Sequence, residues 1–130
     1  MKNPKLINLK KTKSINGELV FFEKSKKINI DFKRVFTIFC NKGSIRGKHA
    51  HKKCFQFLVC LSGSIDVTCE LKNKKRFVFT LNSNDQGLLV YPMTWCTQKY
   101  KKNNSILLVA CNELYSEKDY IRDYRDFSKI

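Results

Sequence analysis

The chain has 130 residues, 42% of them hydrophobic and 12% aromatic with ten Phe, which bounds it to a single domain, 1–130, with a packed core, and excludes a disordered chain. No apolar run reaches the roughly 18 residues of a membrane span, and the basic stretch 1–13 lacks the apolar segment of a secretory signal, so a cytoplasmic protein without a membrane partner is expected. The net charge is +15, but only 5 of the 26 basic residues are Arg and the Lys groups at 10–11, 24–27, 72–76 and 99–102 sit in loop-like stretches; this reads as solvated charge able to attract a small anion, with no nucleic acid as partner.

In chain order, runs rich in Val, Ile, Phe and Thr fall at 19–22, 34–40, 54–61, 64–71, 76–81, 87–91, 93–97 and 105–111. Turn residues separate them, among them Asn16-Gly17, Asn41-Lys42-Gly43, Ser62-Gly63, Asn82-Ser83-Asn84-Asp85 and Asn103-Asn104. Short strands at this spacing predict an all-β sandwich or small barrel. The last segment differs: Ser116-Glu117-Lys118-Asp119 has the form of a helix start, and Tyr120, Ile121 and Tyr124 follow at helical spacing, so a short C-terminal helix or turn packed on the barrel is expected.

Six cysteines lie mostly inside apolar runs such as FLVC and LLVAC, with no C-x-x-C, and read as small buried hydrophobes. Only Cys54 is close to a histidine in sequence.

The chemistry concentrates at 46–51, Arg-Gly-Lys-His-Ala-His, which holds the only two histidines of the chain. In a strand, His49 and His51 project to one face. Because the stretch leads into a strongly apolar run, that face is expected to line the barrel interior, where paired imidazoles serve as metal ligands or as acid/base groups.

The spacing Gly43, His49-Ala50-His51, Gln56, Gly63 resembles the first motif of the cupin superfamily, and Gly87, Pro92 and Trp95 are placed for the second. Metal-binding cupins carry Glu where this chain has Gln56 and a third His where it has Thr97. Two histidines and a neutral amide fall short of such a metal set, so no metal and no cofactor are expected. With RGKHAHK at 46–52, GLLVYPMTW at 87–95 and YIRDY at 120–124, the chain further resembles the nucleotide-sugar 3,4-ketoisomerases of dTDP-deoxysugar biosynthesis, over roughly 6–127.

That resemblance implies a cupin jellyroll that forms a homodimer, commonly by exchanging N-terminal strands. It implies conversion of a dTDP-4-keto-6-deoxyhexose into its 3-keto isomer for a later aminotransferase. The sequence departs from the family at Phe36, Thr37, Tyr91 and Cys96, positions that are candidates for choosing the face of C4 that receives the proton.

Moving a carbonyl from C4 to C3 needs a base that takes the C3 proton, an enediolate, and a proton returned to C4. His51 is read as the carbon base and His49 as the shuttle between the oxygens. Arg34 and Arg46 are candidates to stabilise enediolate or diphosphate charge. Gln56 is expected to bond a sugar hydroxyl or hold a His tautomer, and Trp95 to stack on thymine or fill the barrel. Two rivals stay open: a non-catalytic nucleotide-sugar-binding cupin, and a basic nucleic-acid-binding barrel.

Overall fold

The computed structural model describes residues 2–130. The strands are β1 Lys5–Asn8, β2 Lys10–Ser14, β3 Gly17–Phe21, β4 Arg34–Cys40, β5 Ile45–His51 and β6 Gln56–Ser62. They continue with β7 Ile65–Glu70, β8 Arg76–Leu81, β9 Gln86–Val90, β10 Trp95–Tyr100, β11 Ser105–Cys111 and β12 Tyr120–Ile121, and the helix α1 covers Tyr124–Lys129. One sheet has the order β1-β9-β6-β11-β4, a second β12-β5-β10-β7-β8, and β2 and β3 form a separate hairpin. All pairings are antiparallel.

The inner faces of the two large sheets make the core. Leu58, Cys60, Leu88, Leu107 and Val109 of the first sheet pack with Val67, Cys69, Leu81, Cys96 and Tyr100 of the second. The alternation of β7, where Ile65, Val67 and Cys69 are buried and the residues between are half-buried, is the period of a strand with one face on this core. β6 departs from it: Gln56 to Cys60 are all buried, because its outer face is covered as well, by Ile28 and Ile30 packed on Phe57 and Val59. A strand covered on both faces loses its alternation. Gly63 turns β6 into β7 at φ 86°, and a Cβ there would stand 2.2 Å from Ser105 Oγ, so the turn and the close approach both require glycine.

The result is the all-β cupin jellyroll expected from the sequence, and strands 34–40, 76–81 and 105–111 keep their expected bounds. Two expectations change. The strand placed at 93–97 runs from Trp95 to Tyr100, after a turn in which Met93 takes φ 61°. The helix does not start at Ser116, which makes no side-chain cap and leads only into a 3-10 turn, Glu117–Asp119. Tyr120 and Ile121 instead pair with His51 and Ala50 as β12. The helix begins about two turns later, where the Asp123 carboxylate accepts from Arg125 N–H in the manner of an N-cap. Long-range pairing to β5 outcompetes the local helical spacing.

The helix lies on the outside of the second sheet. Phe127 and Ile121 bury against Ala50, with Met93 and Trp95 at the margin. Among the described residues, no helix is long and apolar enough to cross a membrane.

Candidate active site

β5 carries the site and departs from a regular strand within it. Cys96 of β10 stands opposite His49 and Thr97 stands opposite Gly47, so Lys48 is an extra residue. Gly47 and Lys48 both have positive φ, 85° and 57°, the geometry of a β-bulge. The bulge has a consequence for side-chain direction. Arg46 and His49 are three apart and would face opposite sides of a regular strand. With Lys48 looped out, Arg46 stands opposite Gln98 while His49 stands opposite Cys96. Gln98 and Cys96 share the inner face of β10, so Arg46, His49 and His51 all face inward.

Arg46 and His49 meet a cavity of about 460 Å³ between β4 and β5, lined also by Phe36, Ile38, Gln56, Gln98, Tyr120 and Arg122, among others, and His51 is buried behind its wall beside His49 and Tyr120. The His49 and His51 rings stand edge to face, 5.0 Å between centroids. The Tyr120 ring packs on both, at 5.1 Å and 4.3 Å, and the Arg122 guanidinium lies 4.2 Å from the centre of the same ring. Arg122 is held by Glu117, with Nη2 donating to Oε2 at 3.0 Å.

Behind His51 stands Asp119. Its Oδ2 is 2.9 Å from His51 Nδ1, and its Oδ1 accepts from Lys53 N–H at 2.7 Å. An ionised carboxylate only accepts, so Nδ1 carries the ring proton and Nε2 keeps its lone pair. That Nε2 is buried without a protein partner, as is His49 Nδ1. Burial, with the neighbouring His51 and Arg122 charges, pushes His49 down to about 4. Burial also lowers His51, opposed by Asp119. Both imidazoles are therefore neutral and able to accept a proton at neutral pH.

Arg34 opens β4 on the same inward-facing side as Phe36. Its Nη2 donates to Cys111 Sγ at 3.7 Å and its guanidinium lies 5.2 Å over Phe36, one layer behind the cavity wall. Gln56 is 6% exposed and reaches the cavity, and it stands opposite Cys111 in the β6–β11 pairing.

Trp95 stands elsewhere. It is on the outer face of β10, edge-on to Tyr124 and 5.7 Å from Phe127. Cys96, its inward-facing neighbour, takes the place a cavity-facing ring would need. Trp95 thus packs against the helix and not inside the barrel. Thr97 likewise alternates away from the cavity, and Gln98 is the β10 residue that faces it. The inward donors are thus two imidazoles and two neutral amides, which do not fit a cupin metal centre.

Sequence reasoning missed Asp119, Tyr120, Arg122 and Gln98 as parts of one site. A signal existed for the first three. They lie in a tail with five of the eleven acidic residues of a basic chain, and Arg122 is one of only five Arg.

A jellyroll whose inner face sets a carboxylate-backed imidazole and a second imidazole at a sugar-sized cavity is a cupin-fold keto-sugar isomerase. Residues 2–130 match the family described as FdtA: WxcM-like, C-terminal, and the chain belongs to that family. A TDP-4-oxo-6-deoxy-alpha-D-glucose-3,4-oxoisomerase of Aneurinibacillus thermoaerophilus is 41% identical over 96% of this chain and 90% of its own length. The QdtA sugar 3,4-ketoisomerase of Thermoanaerobacterium thermosaccharolyticum, solved with TDP, superposes with a TM-score of 0.91 at 34% identity, over 98% of this chain and 93% of its own. The WlaRB TDP-quinovose 3,4-ketoisomerase of Campylobacter jejuni gives a TM-score of 0.92 at 33% identity, over 100% of both chains.

Proposed function

We propose that this chain converts a dTDP-4-keto-6-deoxyhexose into its 3-keto isomer, supplying an aminotransferase in deoxyaminosugar biosynthesis. The observation that carries the mechanism is the His51–Asp119 pair, which leaves the His51 Nε2 lone pair buried and without a protein partner, beside the cavity-lining His49. His51 Nε2 takes the C3 proton, and the C3–H electron pair becomes the enediolate double bond. His49 relays the O3 proton to O4. His51 returns its proton to C4, and the carbonyl ends on C3. Each imidazole finishes in the state in which it began, so no cofactor is consumed.

Arg46 and Arg122 face the same cavity and place fixed positive charge where the enediolate or the diphosphate carries negative charge. Arg34 acts from behind, and Gln56 and Gln98 offer amides to sugar hydroxyls. The working form is a homodimer. Supporting this, Leu19 and Phe21 on the hairpin and Val35 and Phe39 on β4 are exposed at 44–70%, and such grouped apolar side chains mark contact surfaces. The six thiols, all free, suit a cytoplasmic enzyme.

The test is incubation with dTDP-4-keto-6-deoxyglucose in D₂O, coupled to a 3-aminotransferase. Deuterium enters the recovered sugar and 3-amino product forms; His51→Asn abolishes both while the nucleotide sugar still binds. A wild-type chain that binds the sugar without exchange is a binding module and not an isomerase.

A further inference from the structure

We propose that His51 Nδ1, the Asp119 carboxylate and the Cys54 thiol form a site for a soft divalent metal ion of the zinc and cadmium type, and that filling it switches the isomerase off. One donor atom from each residue lies within 4.8 Å of the other two. Cys54 and His51 are 2% and 5% exposed, so the cluster is built into the fold and is not a chance surface grouping. Zinc bonds of about 2.0 Å to nitrogen or oxygen and about 2.3 Å to sulfur set tetrahedral donor separations of roughly 3.3–3.8 Å. Small side-chain movements from the present arrangement reach that range. Asp119 is already oriented, because Lys53 N–H holds Oδ1 and leaves Oδ2 for the ion. The Cys54 thiol donates to the Phe55 carbonyl at 3.4 Å, and the Cys111 thiol stands next to Cys54 as a second sulfur.

The donor set selects the metal. One sulfur, one imidazole nitrogen and one carboxylate oxygen suit Zn²⁺ or Cd²⁺ and offer little to Mg²⁺ or Ca²⁺. The approach sharpens this selection. Asp119 lines a second cavity of about 460 Å³, whose wall also has Lys33, Lys52, Lys53 and Lys118 against one further acid, Glu113, so its charge is net positive. These charges repel an ion held by electrostatics alone, whereas a metal–thiolate bond overcomes them. The ion sits behind His51, on the side away from the cleft, unlike a cupin metal, which would sit inside it.

Binding rearranges protons in a balanced way. The Cys54 proton leaves to solvent as the metal–sulfur bond forms. The His51 ring proton moves from Nδ1 to Nε2 as Nδ1 takes the metal. Nε2 then carries an N–H instead of a lone pair, and the C3 proton has no acceptor. Substrate still fits, so turnover falls while KM holds. The inhibitory half rests on the isomerase reading above; the site itself does not.

The experiment titrates Cd²⁺ and Zn²⁺ into the chelator-treated full chain. The expected results are a thiolate-to-cadmium charge-transfer band saturating at one equivalent, and a drop in kcat by Zn²⁺ of at least tenfold that chelator reverses. Cys54→Ala keeps activity, loses the band and resists Zn²⁺. In wild type, ¹⁵N imidazole spectra show His51 moving from the Nδ1–H to the Nε2–H tautomer when Zn²⁺ is added, a readout that holds if the variant fails to fold. An undiminished band in folded Cys54→Ala, or unchanged His51 nitrogens in zinc-treated wild type, overturns the site. Spectroscopic binding with unaltered turnover overturns the switch. A chain that binds metal as described but never isomerises sugar refutes the isomerase reading and leaves the metal site standing.

Discussion

His51 and Asp119 are 68 residues apart in sequence and joined by a hydrogen bond of 2.9 Å. The carboxylate fixes the tautomer that leaves the Nε2 lone pair without a protein partner, and it stabilises the imidazolium formed when His51 takes a proton. Asp119→Asn turns an amide N–H₂ toward Nδ1 and favours the opposite tautomer. The expected outcome is a fall in kcat of about 10² or more, within the range for lost acid–base help, with KM little changed and the folded spectrum kept. Steady-state kinetics across pH check it, since a merely structural role would leave the shape of the profile intact.

Protonation of the site links to stability. His49 sits at about 4 in the folded chain, against about 6.5 when unfolded. Between those values the unfolded state binds a proton that the folded state refuses, so stability present above pH 6.5 is lost as pH falls. The slope is at most about 1 kcal/mol per pH unit after allowance for solvent at the cleft mouth. The groups facing His49 are His51, Arg122 and Glu117, and Glu117 is held down at about 2 by Arg122 and Tyr115. Carboxylates like Glu117 contribute only at lower pH. Urea midpoints at pH 7 and pH 5 are expected to differ more for wild type than for His49→Asn.

The bulge at Gly47-Lys48 is a separate lever. A Cβ on Gly47 would meet the Cys96 carbonyl at 3.0 Å while φ stays at 85°, so Gly47→Ala is expected to cost about 1–3 kcal/mol. Arg46→Ala removes the guanidinium that this bulge turns toward the cavity. The expected result is a folded protein whose KM for the nucleotide sugar rises about tenfold or more, a change of about 1.4 kcal/mol or more for a lost charged contact. An unchanged KM would remove Arg46 from the binding role.

The C-terminal helix clamps the strap that delivers Asp119 and Tyr120. Phe127 is 1% exposed, beneath Trp95 and beside Ala50. Phe127→Ala is expected to destabilise by about 3–5 kcal/mol, and to weaken activity at denaturant concentrations where the barrel is still folded. Trp95→Phe keeps most of the packing and is expected to leave kcat and nucleotide affinity near wild type. A large loss of affinity would restore the stacking role for Trp95. Circular dichroism read alongside activity distinguishes these outcomes.

Apolar runs between turn residues determined by themselves that this is an all-β domain, because half-buried strands impose a period of two and turns demand Gly, Asn and Asp. They also marked His49 and His51, since residues two apart share a face wherever no bulge falls between them. The polar strands β1 and β2 escaped notice, as KLIN and KKTKS carry little alternation and owe their form to β9 and β3. Only the tertiary structure decided that Arg46 shares the face of the histidines, because parity along β5 depends on a bulge created by pairing with β10. It alone decided that Trp95 belongs to the outer layer, and that Ser116 opens a strap and not a helix. Asp119 and Tyr120 reach the histidines through the β12–β5 pairing. Local propensity has no term for a partner so far away along the chain, and that partner is what converts a pair of histidines into a base with a defined tautomer.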